Sequence, residues 1–114
     1  MKFSLKIETY DRRLGSDIAG VGNSLSSGTI VDVPGGGKIE YITTRGCKAP
    51  GIPEVLEFIV EASTTIELGL ISAWLYDKVK SKPVEKIVVR RRVITEITEE
   101  NIREVIEEEI NFGE

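Results

Sequence analysis

The sequence predicts an α+β domain, and three observations predict it. Apolar and charged residues alternate from Lys2 to Glu8. The turn Pro34-Gly35-Gly36-Gly37 separates two β-rich runs. A long apolar stretch is bracketed by Pro53 and Pro83. A chain of 114 residues is close to the commonest size for one domain. Its hydrophobic fraction of 40% and charged fraction of 30% supply a core and exclude a disordered chain. No internal repeat or linker divides it, so residues 1–114 read as a single domain.

The first element is a half-buried strand, because Phe3, Leu5 and Ile7 alternate with Lys2, Ser4, Lys6 and Glu8. Residues 11–28 admit two readings. Leu14, Ile18, Val21 and Leu25 fall at helical spacing, but Gly15, Gly20 and Gly22 each weaken a helix by about 1 kcal/mol relative to Ala. A short helix is one reading and a loop the other. Thr29 to Val33 and Lys38 to Thr44 then form a hairpin, since Pro presets φ for a turn and Gly permits positive φ. Gly46, Pro50 and Gly51 mark a loop.

Pro53 to Ser81 reads as one long helix. Pro suits the first turn, Glu54 and Glu57 favour the positive end of the dipole, Lys78 and Lys80 the negative end, and Pro83 stops it. Val84 to Ile97 is rich in Val, Ile and Thr and reads as one long strand, bent near Arg90-Arg91-Arg92. Thr98 is an N-cap for a last helix whose apolar stripe is Ile102, Val105, Ile106 and Ile110, with Gly113 to end it. The order β-α-β-β-α-β-α matches a ferredoxin-like split βαβ plan with an added C-terminal helix, its antiparallel sheet packed on the long helix.

That helix, of about 29 residues, would run roughly 43 Å, against a radius of gyration of about 13 Å for a domain of this size. It must kink, with Ser63-Thr64-Thr65 the candidate site, or leave the core. On its wheel Glu54, Glu57, Glu61, Thr64 and Thr65 share one face. Val55, Leu56, Ile59 and Ile66 oppose them, continued by Leu70, Ala73 and Trp74. Leu68, Leu75 and Val79 then enter the formerly polar face. A helix apolar nearly all round needs cover on more than one side. A second subunit or protein partner on Leu68, Ile71, Leu75, Tyr76 and Val79 supplies it; the C-terminal helix is the alternative cover.

Catalytic signals are few. The chain has no histidine, which removes the usual general base and the commonest metal ligand. Cys47, the single cysteine, has Arg45 and Lys48 nearby to favour a thiolate but no histidine to activate it. It forms no internal disulfide, which fits a reducing, cytoplasmic compartment. Neither glycine cluster has dinucleotide-fingerprint or P-loop spacing, and Asp11, Asp17, Asp32 and Glu40 have no cation-loop spacing. No catalytic residue, cofactor or metal site is therefore expected. The net charge of −4 disfavours nucleic acid, although Arg45, Lys48, Arg90 and Arg92, with Arg12 and Arg13, are candidates for an anion or RNA patch. Rings on the predicted strands are few, with Tyr41 the only one in a strand interior, which counts against base stacking. The charged N-terminus is unlike a signal peptide, and Glu61 and Glu67 interrupt the most apolar window, against a membrane span. The Lys/Glu/Ile bias with little Asn or Gln resembles thermophile usage.

One stretch carries a family likeness. Ala73-Trp74-Leu75-Tyr76-Asp77-Lys78 closes an apolar helix, a β segment follows, and Thr98-Glu99-Glu100-Asn101-Ile102 opens a last helix. Over residues 51–110 this resembles the effector-associated constant component domains of bacterial conflict systems. The resemblance implies a non-enzymatic adaptor that recruits effectors; no functional residue carries over from it. The expectation is thus a non-enzymatic interaction module, self-associating through the helix over 53–81. The alternative is a small nucleic-acid or nucleotide-binding domain using Arg90 to Arg92 and the glycine loops.

Overall fold

The computed structural model describes residues 1–20, 25–46 and 51–112. Its strands are β1 (Lys2–Thr9), β2 (Ile30–Asp32), β3 (Lys38–Arg45), β4 (Glu54–Glu61), β5 (Val84–Val89) and β6 (Arg92–Ile94). Its helices are α1 (Leu14–Ala19), α2 (Thr65–Val79) and α3 (Glu99–Phe112). The strands form one antiparallel sheet in the order β2-β3-β4-β1-β5-β6. The fold is α+β, as the sequence predicts.

Register places the core on one face of the sheet. Phe3, Leu5 and Ile7 lie opposite Val60, Phe58 and Leu56, with Ile39 and Tyr41 on one flank and Ile87 and Val89 on the other. Against them pack Leu14 and Ile18 of α1, Leu68, Ile71 and Leu75 of α2, and Ile102, Ile106 and Ile110 of α3. Burying a side chain such as Phe58 stabilises the fold by roughly 2–3 kcal/mol relative to leaving it in water. The opposite face of the sheet carries the intervening residues, charged ones such as Lys6 and Glu57 among aliphatic ones such as Val55, Ile59 and Val88, and no helix among those described.

The long helix over 53–81 is not there. Glu54 to Glu61 is β4, an inner strand paired with β1 on one side and β3 on the other. The segment Glu-Val-Leu-Glu-Phe-Ile-Val-Glu alternates Leu56, Phe58 and Val60 inward with Val55, Glu57, Ile59 and Glu61 outward. Glu57 and Glu61 are four apart, a spacing that satisfies both a strand period of two and a helix period near 3.6. The same spacing therefore fits either element. Ser63 and Thr64 do not kink a helix; they start one. The Thr64 hydroxyl accepts the Glu67 N–H at 3.1 Å, and a Glu67 carboxylate oxygen accepts the Ser63 N–H at 3.0 Å. This is a variant of the capping box: Thr64 caps Glu67 three residues on, and Glu67 reaches back to the N–H of Ser63, one residue before the cap. At 15 residues α2 spans about 22 Å. That length fits inside a molecule 39 × 26 × 23 Å, so no part of it needs to leave the core.

The single strand over 84–97 is also two strands. Val89 pairs with Arg92, which leaves Arg90 and Arg91 as a two-residue turn with Arg90 at φ 55°. The bend expected near Arg90-Arg91-Arg92 is thus a full reversal of the chain between two strands. Over 11–28, Leu14–Ala19 is a helix ended by Gly20; residues 21–24 lie outside the described set. The hairpin between β2 and β3 forms as expected, with the Val33 N–H donating to the Gly37 carbonyl at 3.0 Å. Its turn lies on α2. A Cβ on Gly35 would run into Leu70, and one on Gly37 would stand 2.8 Å from Ile71, while φ values of 93° and 88° already exclude most L-residues.

Candidate interaction surface

Helix α2 is apolar on both sides, and the tertiary structure decides which side is available. Leu68 (2% exposed), Ile71 (1%), Leu75 (0%) and Val79 (2%) point into the chain's own core, and Tyr76 is partly buried. The expectation that these residues meet a partner is corrected: the sheet and the neighbouring helices already cover them. Outward lie Ile66, 77% exposed, and Leu70, 41% exposed, followed by the partly buried Trp74. They stand at i, i+4 and i+8, one stripe along the helix. The wheel places these three on one face with Val55, Leu56, Ile59 and Ala73; Val55, Leu56 and Ile59 lie instead on β4, so only the part of that face on α2 remains a helical stripe.

Both ends of α2 are fixed. At the start, the Thr64–Glu67 cap sets the first turn. At the end, the Lys80 N–H donates to the Tyr76 carbonyl at 2.8 Å and Ser81 takes a left-handed φ of 64°. Lys80 also bridges Asp77 at 2.9 Å. That hydrogen bond and the adjacent charge hold the exposed Asp77 carboxyl below its ordinary range. The Lys78 ammonium lies over the Trp74 ring, 5.8 Å from its centroid.

Arg45 does not assemble with Arg90 and Arg92. The Arg90 guanidinium donates to the Glu109 carbonyl at 3.2 Å, and Arg92 pairs with Glu108 at 2.7 Å, so both tie the β5–β6 turn to the last turns of α3. Arg45 lies on β3, with β4 and β1 between it and β5, and pairs with Glu57 at 3.4 Å. At the spacing of strands this separation is about 14 Å. Lys48 and Cys47 lie outside the described residues.

The open sheet face is neutral by construction. Register sets Lys2, Glu61, Lys38 and Asp32 in one row across four strands, alternating in sign. Along the strands of that face the cations Lys2, Lys6, Lys38, Arg45 and Lys86 are matched one for one by Glu8, Asp32, Glu40, Glu57 and Glu61. Lys2–Glu61 at 3.8 Å, Lys6–Glu57 at 3.7 Å and Lys86–Glu8 at 3.3 Å are among the resulting pairs. A phosphate backbone is drawn by excess positive charge, which this face lacks. The outer strands β2 and β6 have three residues each, a length that blunts edge-to-edge pairing.

Among the described residues no three acidic, cysteine or histidine side chains converge as metal ligands, and no buried side-chain polar atom lacks a hydrogen-bond partner. No described helix is long and apolar enough to cross a membrane. No family model, curated protein or solved structure matches the chain.

Proposed function

We propose that this domain is a non-enzymatic protein–protein interaction module that self-associates through the outward face of α2. The observation that carries the reading is the stripe of Ile66, Leu70 and Trp74. Ile66 and Leu70 are exposed beside a Trp74 that is half-buried against the core, on a helix whose opposite face lies in the core. Grouped exposed apolar side chains mark interaction surfaces more often than isolated ones do. The strand order β3-β4-β1-β5, with α1 and α2 between strands, is compatible with a ferredoxin-like split βαβ plan to which β2, β6 and α3 would be additions. On that plan the domain is a scaffold that presents α2. The resemblance of residues 51–110 to adaptor domains of conflict systems points the same way. Nucleic-acid binding is the weaker reading, because the sheet face is neutral and Arg45, Arg90 and Arg92 are engaged within the chain.

The test is sedimentation velocity across a concentration series. The wild-type chain is expected to dimerise, and Leu70→Glu to be monomeric with an unchanged circular-dichroism spectrum. A wild-type chain that stays monomeric at every concentration overturns the proposal, as does a dimer indifferent to Leu70→Glu.

A further inference from the structure

Resting on that reading, we infer that two copies pair α2 against α2 in antiparallel fashion about a two-fold axis, with Glu67 of each copy facing Lys78 of the other. The argument is charge complementarity along the helix. Glu67 and Lys78 stand about three full turns apart, so they share one flank of the exposed stripe at its two ends. A two-fold axis perpendicular to the helices, lying between them, keeps that flank on the same side and reverses the helix direction. The glutamate end of one copy then meets the lysine end of the other, twice. The same operation brings Leu70 within about one residue's rise of Trp74 of the second copy, apolar beside apolar. A parallel pair about an axis along the helices would instead place the two Glu67–Lys78 flanks on opposite sides of the seam, where neither charge meets its opposite.

Each group is able to take part. Glu67 is half-buried: Oε2 receives the Ser63 N–H and the Thr64 hydroxyl for the helix cap, while Oε1 lies beside Gly36 of the β2–β3 turn and carries no hydrogen bond among the described residues. Lys78 contacts the Trp74 ring and, among the described residues, forms no ion pair. The stripe is short, so the pairing sits at the small end of protein interfaces, with a dissociation constant on the order of micromolar or weaker.

The experiment is sedimentation equilibrium over a range of NaCl concentrations. Wild-type dimerisation is expected to weaken with salt. Lys78→Glu creates two repulsive pairs and weakens the dimer about tenfold at low salt. Added salt is then expected to strengthen this variant's association, inverting the wild-type trend. Mixing Lys78→Glu with Glu67→Lys chains is expected to restore the dimer as a heterodimer, because both bridges re-form with reversed sign. Glu67→Lys removes a cap acceptor, so its fold is checked by circular dichroism. If it is unfolded, the salt inversion of Lys78→Glu alone decides. A Lys78→Glu chain that dimerises like wild type at every salt concentration overturns the antiparallel pairing, while the loss of dimer in Leu70→Glu still upholds self-association. A monomeric wild type overturns both.

Discussion

Strand β4 and helix α2 follow one another in the chain, and both are built from aliphatic residues punctuated by glutamate. Both place one set of side chains in the same core. β4 is held from its two edges, by β1 and β3, and every second residue is buried. α2 is held by its own backbone and by a cap at Thr64, and its buried residues Leu68, Ile71, Ser72, Leu75 and Val79 recur at helical spacing. Composition does not separate them. What does is the change of period at Ser63-Thr64, where a polar cap interrupts the alternation and a 3.6-residue repeat begins.

The sharpest way to break this comparison is to place a charge on each face of α2. Leu75→Glu puts a carboxylate in the fully buried core and is expected to cost more than about 4 kcal/mol, leaving the chain unfolded by circular dichroism. Leu70→Glu, on the exposed stripe, is expected to shift stability by about 1 kcal/mol or less in urea titrations. An equal effect at both positions would mean that the two faces of α2 are not distinct.

An alanine scan of β4 reads its period directly. Phe58→Ala is expected to cost about 3–5 kcal/mol, and Leu56→Ala about 2–5 kcal/mol. Val55→Ala and Ile59→Ala, on the open face, are expected to cost about 1 kcal/mol or less. Costs recurring every three or four residues in chemical denaturation would restore the helical reading.

The glycine turn tests how closely the β2–β3 hairpin sits on α2. Gly35→Ala strains a positive φ and collides with Leu70, for an expected loss of about 1–3 kcal/mol. Part of that loss is expected to return when Leu70 is also alanine, and a thermal-denaturation double-mutant cycle measures this coupling. A fully additive pair would deny the contact. Last, Thr64→Ala removes the hydroxyl that accepts the Glu67 N–H and is expected to cost about 1 kcal/mol. Thr65→Ala, one residue into the helix, makes a control that should change stability little.

Local patterns carried β1, the Pro-Gly-Gly-Gly hairpin and the Thr98 start of α3. Thr98 accepts the Asn101 N–H at 3.0 Å. The Thr64-x-x-Glu67 signature was equally present in the sequence, but an uninterrupted apolar run masks it when the run is taken as one element. The turn at Arg90-Arg91 had no such signal, because neither residue is Gly, Asn or Asp. Arg90 occupies the left-handed region with its guanidinium on the Glu109 carbonyl and its own N–H on the Ser4 carbonyl. Those are long-range contacts that no local pattern announces.

The sequence alone determined the class of the fold, the turn at Pro34 to Gly37 and the grouping of Ile66, Leu70 and Trp74 into one stripe. Each follows from periodicity, turn chemistry and helical geometry, which act over a few residues. Only the tertiary structure decided that Glu54–Glu61 is a strand and that the stripe faces outward. The reason in both cases is pairing at a distance: β4 gains two hydrogen-bonded neighbours only once β1 and β3 arrive. Of the two apolar sides of α2, the one buried is the side on which the sheet and α3 meet it.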